Sequence, residues 1–156
     1  MIEVDIPGFG PVRLQHLVSD FTGTLSVDGV LVLGVKEQIN KVSEFLEVHV
    51  LTADTFGKAR SELEGVKCAI HILTGENHDV QKEEFANGLG ADGVVALGNG
   101  NNDRRMLKAA RVGIAVCLKE GCSIDAASSA DIIVTSATDA LKLLLNEKRL
   151  KATLRF

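Results

Sequence analysis

Five short runs of branched apolar residues alternate with segments of helical periodicity, and no other feature of this chain restricts its fold as tightly. The runs are VHVLT (48–52), AIHIL (69–73), GVVALG (93–98), VGIAVC (112–117) and DIIVT (131–135), each of strand length. Helical patterns fill 35–47, 55–64, 78–88, 102–110, 121–129 and 137–148. In the first, Val35, Ile39, Val42, Phe45 and Leu46 recur at three- and four-residue spacing and make one apolar face. Strands alternating with helices predict a parallel sheet covered on both sides. Residues 1–20 read as a hairpin: MIEVDI, a turn at PGFGP, then VRLQHLVSD. No linker or repeat divides the 156 residues, so a single domain is expected over 1–156.

In sheets of this kind ligands bind beyond the carboxyl ends of the strands, where the strand order reverses. The residues just past those ends are Asp20-Phe21-Thr22-Gly23-Thr24, Thr52-Ala53-Asp54 and Gly98-Asn99-Gly100-Asn101-Asn102-Asp103. Acids, hydroxyls, amides and glycines gather there. Asp20 ends an apolar run, and a carboxylate in that place needs a partner or a task. GLGADG (88–93) matches the dinucleotide pattern GxGxxG, but it follows a helix and opens a strand. The pattern carries meaning only in the opposite order, so it reads as a helix end and turn.

Composition narrows the partners. A net charge of −4, with no Trp or Tyr, offers neither a basic footprint nor stacking platforms, so nucleic acid is not expected. No apolar run approaches the ~18 residues of a membrane span, and MIEVDIPGFG does not resemble a signal peptide. Cys68, Cys117 and Cys122 are an odd number without zinc-knuckle spacing, so they are expected as reduced thiols of a cytoplasmic protein. The histidines show no ligand spacing: His49 and His71 read as strand packing, and His16 as a neighbour of the Asp20 site. The basic amphipathic end, NEKRLKATLRF, reads as a docking or dimer helix, which leaves a homo-oligomer open.

An Asp carboxylate can attack phosphorus and form an acyl phosphate, dividing one difficult hydrolysis into two steps. Such a site needs a divalent ion and donors for the phosphoryl oxygens. Magnesium takes a few oxygen ligands and keeps several waters. Asp20, Asp103 and the backbone carbonyl of Thr22 supply candidate ligands. Thr52 and the amides after it, Ala53 included, are candidates for binding phosphate at a strand-to-helix turn. Lys82 can balance the charge of phosphate and nucleophile. Asp54 either orients its loop or caps the 55–64 helix.

In this order the motifs resemble the haloacid dehalogenase superfamily, and within it the phosphorylation domain of P-type ATPases. DFTGTL is similar to that domain's DKTGT, LTADTFGKA to its TGD segment, GNGNNDRRMLKAARVGIAV to its GDGxND loop with the following helix and strand, and AASSADIIV (126–134) to the stretch beyond. The likeness spans about residues 14–135. It implies a three-layer Rossmann-like fold, a mostly parallel sheet with helices on both faces and a β-hairpin flap, here LSVDGVLVLG (25–34), after the nucleophile. It implies a magnesium-dependent phosphatase in which Asp20 is phosphorylated. Thr52, Lys82 and Asn102 would contact phosphate, and the 99–103 loop, with Asn99 and Asp103, would face the metal.

Three positions depart from the pattern. Thr22 stands where most phosphatases of the superfamily carry a second Asp as general acid and base, a group worth roughly 10²–10⁴-fold. Asn99 replaces the loop's first Asp, its direct metal ligand, and Phe21 replaces the Lys of DKTGT. Only 32 positions separate Asp20 from Thr52, and 30 separate Thr52 from Lys82. Neither gap holds a nucleotide-binding domain or a cap, which excludes a pump and suits a large or protein-borne phosphate. The expected activity is slow phosphate-ester hydrolysis. Its rivals are a non-catalytic or regulatory phosphate-binding module, and a subunit partnering a separate nucleotide-binding or membrane protein.

Overall fold

A computed structural model describes residues 1–156. The amino-terminal hairpin pairs β1 (Ile2–Ile6) with β2 (Gly10–Leu14), and the chain then enters β3 (His16–Asp20). VRLQHLVSD is therefore two strands rather than one. At Gln15 it leaves the hairpin, where its backbone N–H donates to Gly93 and its carbonyl accepts from Glu47, both beside the central sheet. Asymmetric burial explains the break: β2 buries alternate residues, whereas β3 is buried nearly throughout.

After β3 comes a small flap, β4 (Ser26–Val27) and β5 (Val30–Leu31). Its turn, Asp28-Gly29, has both φ angles positive, 52° and 79°, the geometry that matches the twist of a tight hairpin. Then follow α1 (Val35–Val42), β6 (Glu47–Thr52), α2 (Ala59–Glu62), β7 (Ala69–Ile72), α3 (His78–Gly88) and β8 (Val94–Gly98). The chain closes with α4 (Arg104–Ala109), β9 (Val112–Val116), α5 (Ile124–Ser129), β10 (Ile132–Val134), α6 (Ala137–Leu144) and α7 (Glu147–Leu154). Several helices are shorter than their periodic segments. The segment 35–47 stops being helical at Val42, and Phe45 turns outward while Leu46 stays buried. The segment 137–148 breaks at Asn146, whose side chain accepts from the Arg149 N–H and caps a second helix.

Six strands form one parallel sheet in the order β10-β9-β8-β3-β6-β7. One apolar cluster packs α1, α2, α6, α7 and the hairpin on one face; a smaller one packs α3, α4 and α5 on the other. From β3 the chain builds outward through β6 and β7, then returns to the other side of β3 to lay down β8. The order therefore reverses between β3 and β8. The basic end docks within its own chain: Leu150 and Leu154 are buried, and the Phe156 N–H donates to Pro7 at 3.0 Å. The GLGADG segment forms the end of α3 and a turn into β8, with Gly90 at φ +86°.

Candidate active site

Asp20 lies at the carboxyl end of β3, beside the reversal, with its side chain 9% exposed. Its Oδ1 accepts from Lys82 Nζ at 2.8 Å, and its Oδ2 from the Thr24 hydroxyl at 3.1 Å. Lys82 occupies the buried face of α3 and is 1% exposed. It donates also to Asp103 Oδ1 at 2.7 Å, so a single ammonium joins two buried carboxylates. Burial pushes the Asp20 carboxyl up to about 6, the Asp103 charge adds to the rise, and Lys82 and Thr24 restrain it. Burial alone would depress the Lys82 ammonium, but Asp20 and Asp103 reverse this and hold it well above the ordinary lysine range.

The turn after Asp20 explains its glycine. Gly23 has φ +80°, and a side chain there would also strike the Asn99 amide. This close approach brings the β3 and β8 loops together. The Thr24 hydroxyl lies 3.1 Å from Asp20 Oδ2 and 3.2 Å from Asn99 Oδ1, so oxygens of two loops converge on one point. Asn99 is held from its other side, where Nδ2 donates to the Gly121 carbonyl at 3.1 Å. The Asp20 carboxylate and the Asn99 amide oxygen are donors of the type magnesium prefers.

Asp103, the loop's second candidate metal ligand, is hydrogen-bonded through both oxygens. It is fully buried; its Oδ1 accepts from Lys82, and its Oδ2 from the N–H groups of Asn99 and Gly100, each at 3.0 Å. No oxygen is turned toward solvent. Its observed work is to fix the 99–103 loop and pair Lys82. Phe21, where DKTGT has Lys, is 1% exposed and belongs to the core.

Thr52 ends β6 and is buried, and its Oγ1 accepts from the Asp54 N–H at 2.9 Å, which leaves the hydroxyl hydrogen free to donate elsewhere. Asp54 caps α2, accepting from the Ala59 N–H at 2.9 Å, from a left-handed φ of 54°. Ala53 and Asn102 are exposed. His16, expected beside Asp20, begins β3 instead of ending it. Four residues of strand carry it about 13 Å from the carboxylate.

A six-stranded parallel sheet with a flap after its central strand and no cap is the haloacid dehalogenase-like fold. No protein-family model matches the chain. A 62-residue stretch is 53% identical to the uncharacterized protein MJ0073 of Methanocaldococcus jannaschii, covering 40% of this chain and 67% of that protein. The chain belongs to the family of that archaeal protein.

Solved structures agree on the fold. The 3-deoxy-D-manno-octulosonate 8-phosphate phosphatase of Moraxella catarrhalis, in complex with magnesium, phosphate and KDO, superposes with a TM-score of 0.70 at 17% identity, over 91% of this chain and 94% of that one. A Legionella pneumophila structure assigned to subfamily III A of the haloacid dehalogenase superfamily gives 0.71 at 15% identity, over 89% and 87%. The catalytic domain of the CPx-ATPase CopB-B gives 0.61 at 23% identity, over 75% of this chain and 46% of that one. No helix of the protein is long and apolar enough to cross a membrane.

Proposed function

We propose that the protein is a magnesium-dependent phosphohydrolase that works through an aspartyl phosphate on Asp20 and turns over slowly. The observation that carries this reading is the clamped carboxylate: Asp20 is held at the switch point by Lys82 on one oxygen and Thr24 on the other. Magnesium, held by Asp20, the Thr22 carbonyl and Asn99 Oδ1, would screen the charge between carboxylate and phosphate.

The chain's own groups account for the rest. An Asp20 oxygen attacks phosphorus, the bond from phosphorus to the ester oxygen breaks, and the acyl phosphate forms. Lys82 neutralises charge on the nucleophile and on the incoming phosphoryl group. The Thr52 hydroxyl and the amides from Ala53 onward donate to phosphoryl oxygens, and Asn102 contributes from the facing loop. Thr22 cannot serve as an acid, so the leaving oxygen takes its proton from solvent, and no side chain activates the water that hydrolyses the acyl phosphate. Both halves are slowed as a result.

Asn102 also lines a wholly polar groove of about 440 Å³ together with Asn77, His78, Asp79 and Arg104. An open site bordered by such a surface suits a polar, large or protein-borne phosphate ester. The magnesium-containing octulosonate phosphatase supports the metal and the reaction class through the shared fold.

Thr22 also favours one rival, a regulatory module that binds phosphate without turnover. Phosphate release from a panel of phosphorylated metabolites and phosphopeptides, with and without magnesium, separates the two. The native chain is expected to release phosphate and to yield a phosphate adduct on the Asp20 peptide after acid quench. The folded Asp20→Asn chain is expected to do neither. Wild-type turnover in Asp20→Asn refutes the mechanism, and tight Asp20-dependent binding of a fluoride phosphate mimic without turnover selects the module.

A further inference from the structure

A groove of about 660 Å³ lies at the opposite end of the sheet from Asp20. Its floor is made by the first residues of β3 and β6, and its walls include Glu44, Phe45, Lys67 and Met1. We propose that His16, Glu47 and His49 at this end form a second metal site, for a divalent transition ion of the zinc class.

Strand register brings the three together. His16 is directly opposite Glu47 across the β3–β6 ladder, and His49 follows Glu47 by two residues, so all three side chains share one face. Glu47 Oε2 lies 3.4 Å from His16 Nδ1 and 3.9 Å from His49 Nε2, and one ligand atom from each residue falls within 4.8 Å of the others.

The imidazoles are not ordinary packed histidines. Their side chains are only 15% and 13% exposed, yet His16 Nδ1 and both ring nitrogens of His49 have no hydrogen-bond partner. Buried polar atoms rarely stay unpaired, and each orphan asks for an explanation. A neutral imidazole offers a ring nitrogen as a ligand, and a metal ion beside Glu47 would supply the missing partner. His71 Nε2, also unpartnered, lies on the next strand with its ring 5.6 Å from that of His49.

Bonds of about 2.0–2.2 Å to nitrogen and oxygen require ligand atoms about 3.3 Å apart. Glu47, 75% exposed, is already close to both nitrogens, so binding an ion also requires the two rings to draw together by rotation of their side chains. Three protein ligands leave a coordination position facing the groove, the arrangement of open zinc sites. Donor chemistry separates this site from the one at Asp20: imidazole selects transition ions, whereas oxygen donors suit magnesium.

The test uses the full chain with Asp20→Asn, Cys68→Ser, Cys117→Ser and Cys122→Ser, which removes the Asp20 carboxylate and all three thiols. Calorimetric titration with zinc is expected to show one ion per chain at micromolar affinity or tighter, with a raised thermal midpoint. Cobalt is expected to develop visible absorption bands at the same stoichiometry. Glu47→Gln and His16→Gln should each weaken binding at least tenfold, and the pair His16→Gln, His49→Gln should abolish it. Because Glu47 is exposed, Glu47→Gln tests the site even where the histidine pair fails to fold. Absence of zinc binding in this background, or unchanged affinity in Glu47→Gln, overturns the proposal.

Discussion

Replacing Lys82 by Met should destabilise the protein in a way that depends steeply on pH. The methionine fills the space of the lysine stem and removes the ammonium that Asp20 and Asp103 share at 2.8 and 2.7 Å. Two carboxylates that reach one ammonium are about 5 Å apart, and at an effective dielectric of about 20 they repel by roughly 3 kcal/mol. The value of about 6 for Asp20 already contains that repulsion; without the lysine its attraction and hydrogen bond are lost, so the pair should hold a proton to a higher pH still.

The sign follows from proton counting. Unfolded Asp20 titrates near the ordinary carboxylate value of 3.8, so between that pH and the raised folded value the native state holds more protons. Stability therefore falls as pH rises through this window. The Lys82 contribution does not blur the comparison. Its folded pKa is raised above 10.5, so its stabilisation is complete below 10.5 and is lost only at higher pH.

In Lys82→Met the deficit should reach about 3–5 kcal/mol at pH 8, the cost of breaking a buried pair, and shrink to about 1–2 kcal/mol at pH 5. A domain with a total of roughly 5–15 kcal/mol remains folded in both cases. Urea unfolding of both chains in EDTA at pH 5 and pH 8 measures this. A deficit equal at the two pH values, or under about 1 kcal/mol at pH 8, would refute the shared-ammonium account.

The remaining predictions concern the departures from the family pattern and one close packing contact. Asn99→Asp adds a charge where Asn99 Oδ1 converges with Asp20; magnesium affinity by calorimetry should tighten roughly ten- to a hundredfold. Thr22→Asp supplies the missing acid and base, so steady-state turnover should rise by up to about 10²-fold and the acid-trapped adduct on Asp20 should diminish. An adduct that never appears while product forms would reject the covalent step. Gly113→Ala would drive a methyl group from β9 into the Leu107 carbonyl of α4; thermal and urea melts should show a loss of about 2 kcal/mol or more.

How much of this was legible in the sequence depended on the range of the interaction. Strand length, apolar periodicity and the residues at strand ends are local, and they placed Asp20, Thr52 and the 99–103 loop on one edge of the sheet. The helix at 78–88 was read to its end because the glycines that close it, Gly88 and Gly90, are local signals too. The split of residues 12–20 into two strands was not, because only pairing partners, Gly93 and Glu47, distinguish a hairpin strand from a sheet strand. Asp103 illustrates the same limit. Its spacing in the loop marks it as a candidate ligand, but the Lys82 ammonium and two backbone N–H groups that meet its oxygens come together only when α3 packs against the 101–103 turn and α4.

The histidines make the contrast sharpest. In the sequence His16 stands 31 residues before Glu47, with no ligand spacing to notice. Parallel register sets them side by side, and the same register carries His16 away from Asp20 to the far end of the strand. Residue order by itself determined the alternating strand-and-helix architecture and which edge of the sheet holds the acids. Only tertiary packing decided which charges meet, because cross-strand neighbours and buried ion pairs are set by registers and helix contacts that no local pattern encodes.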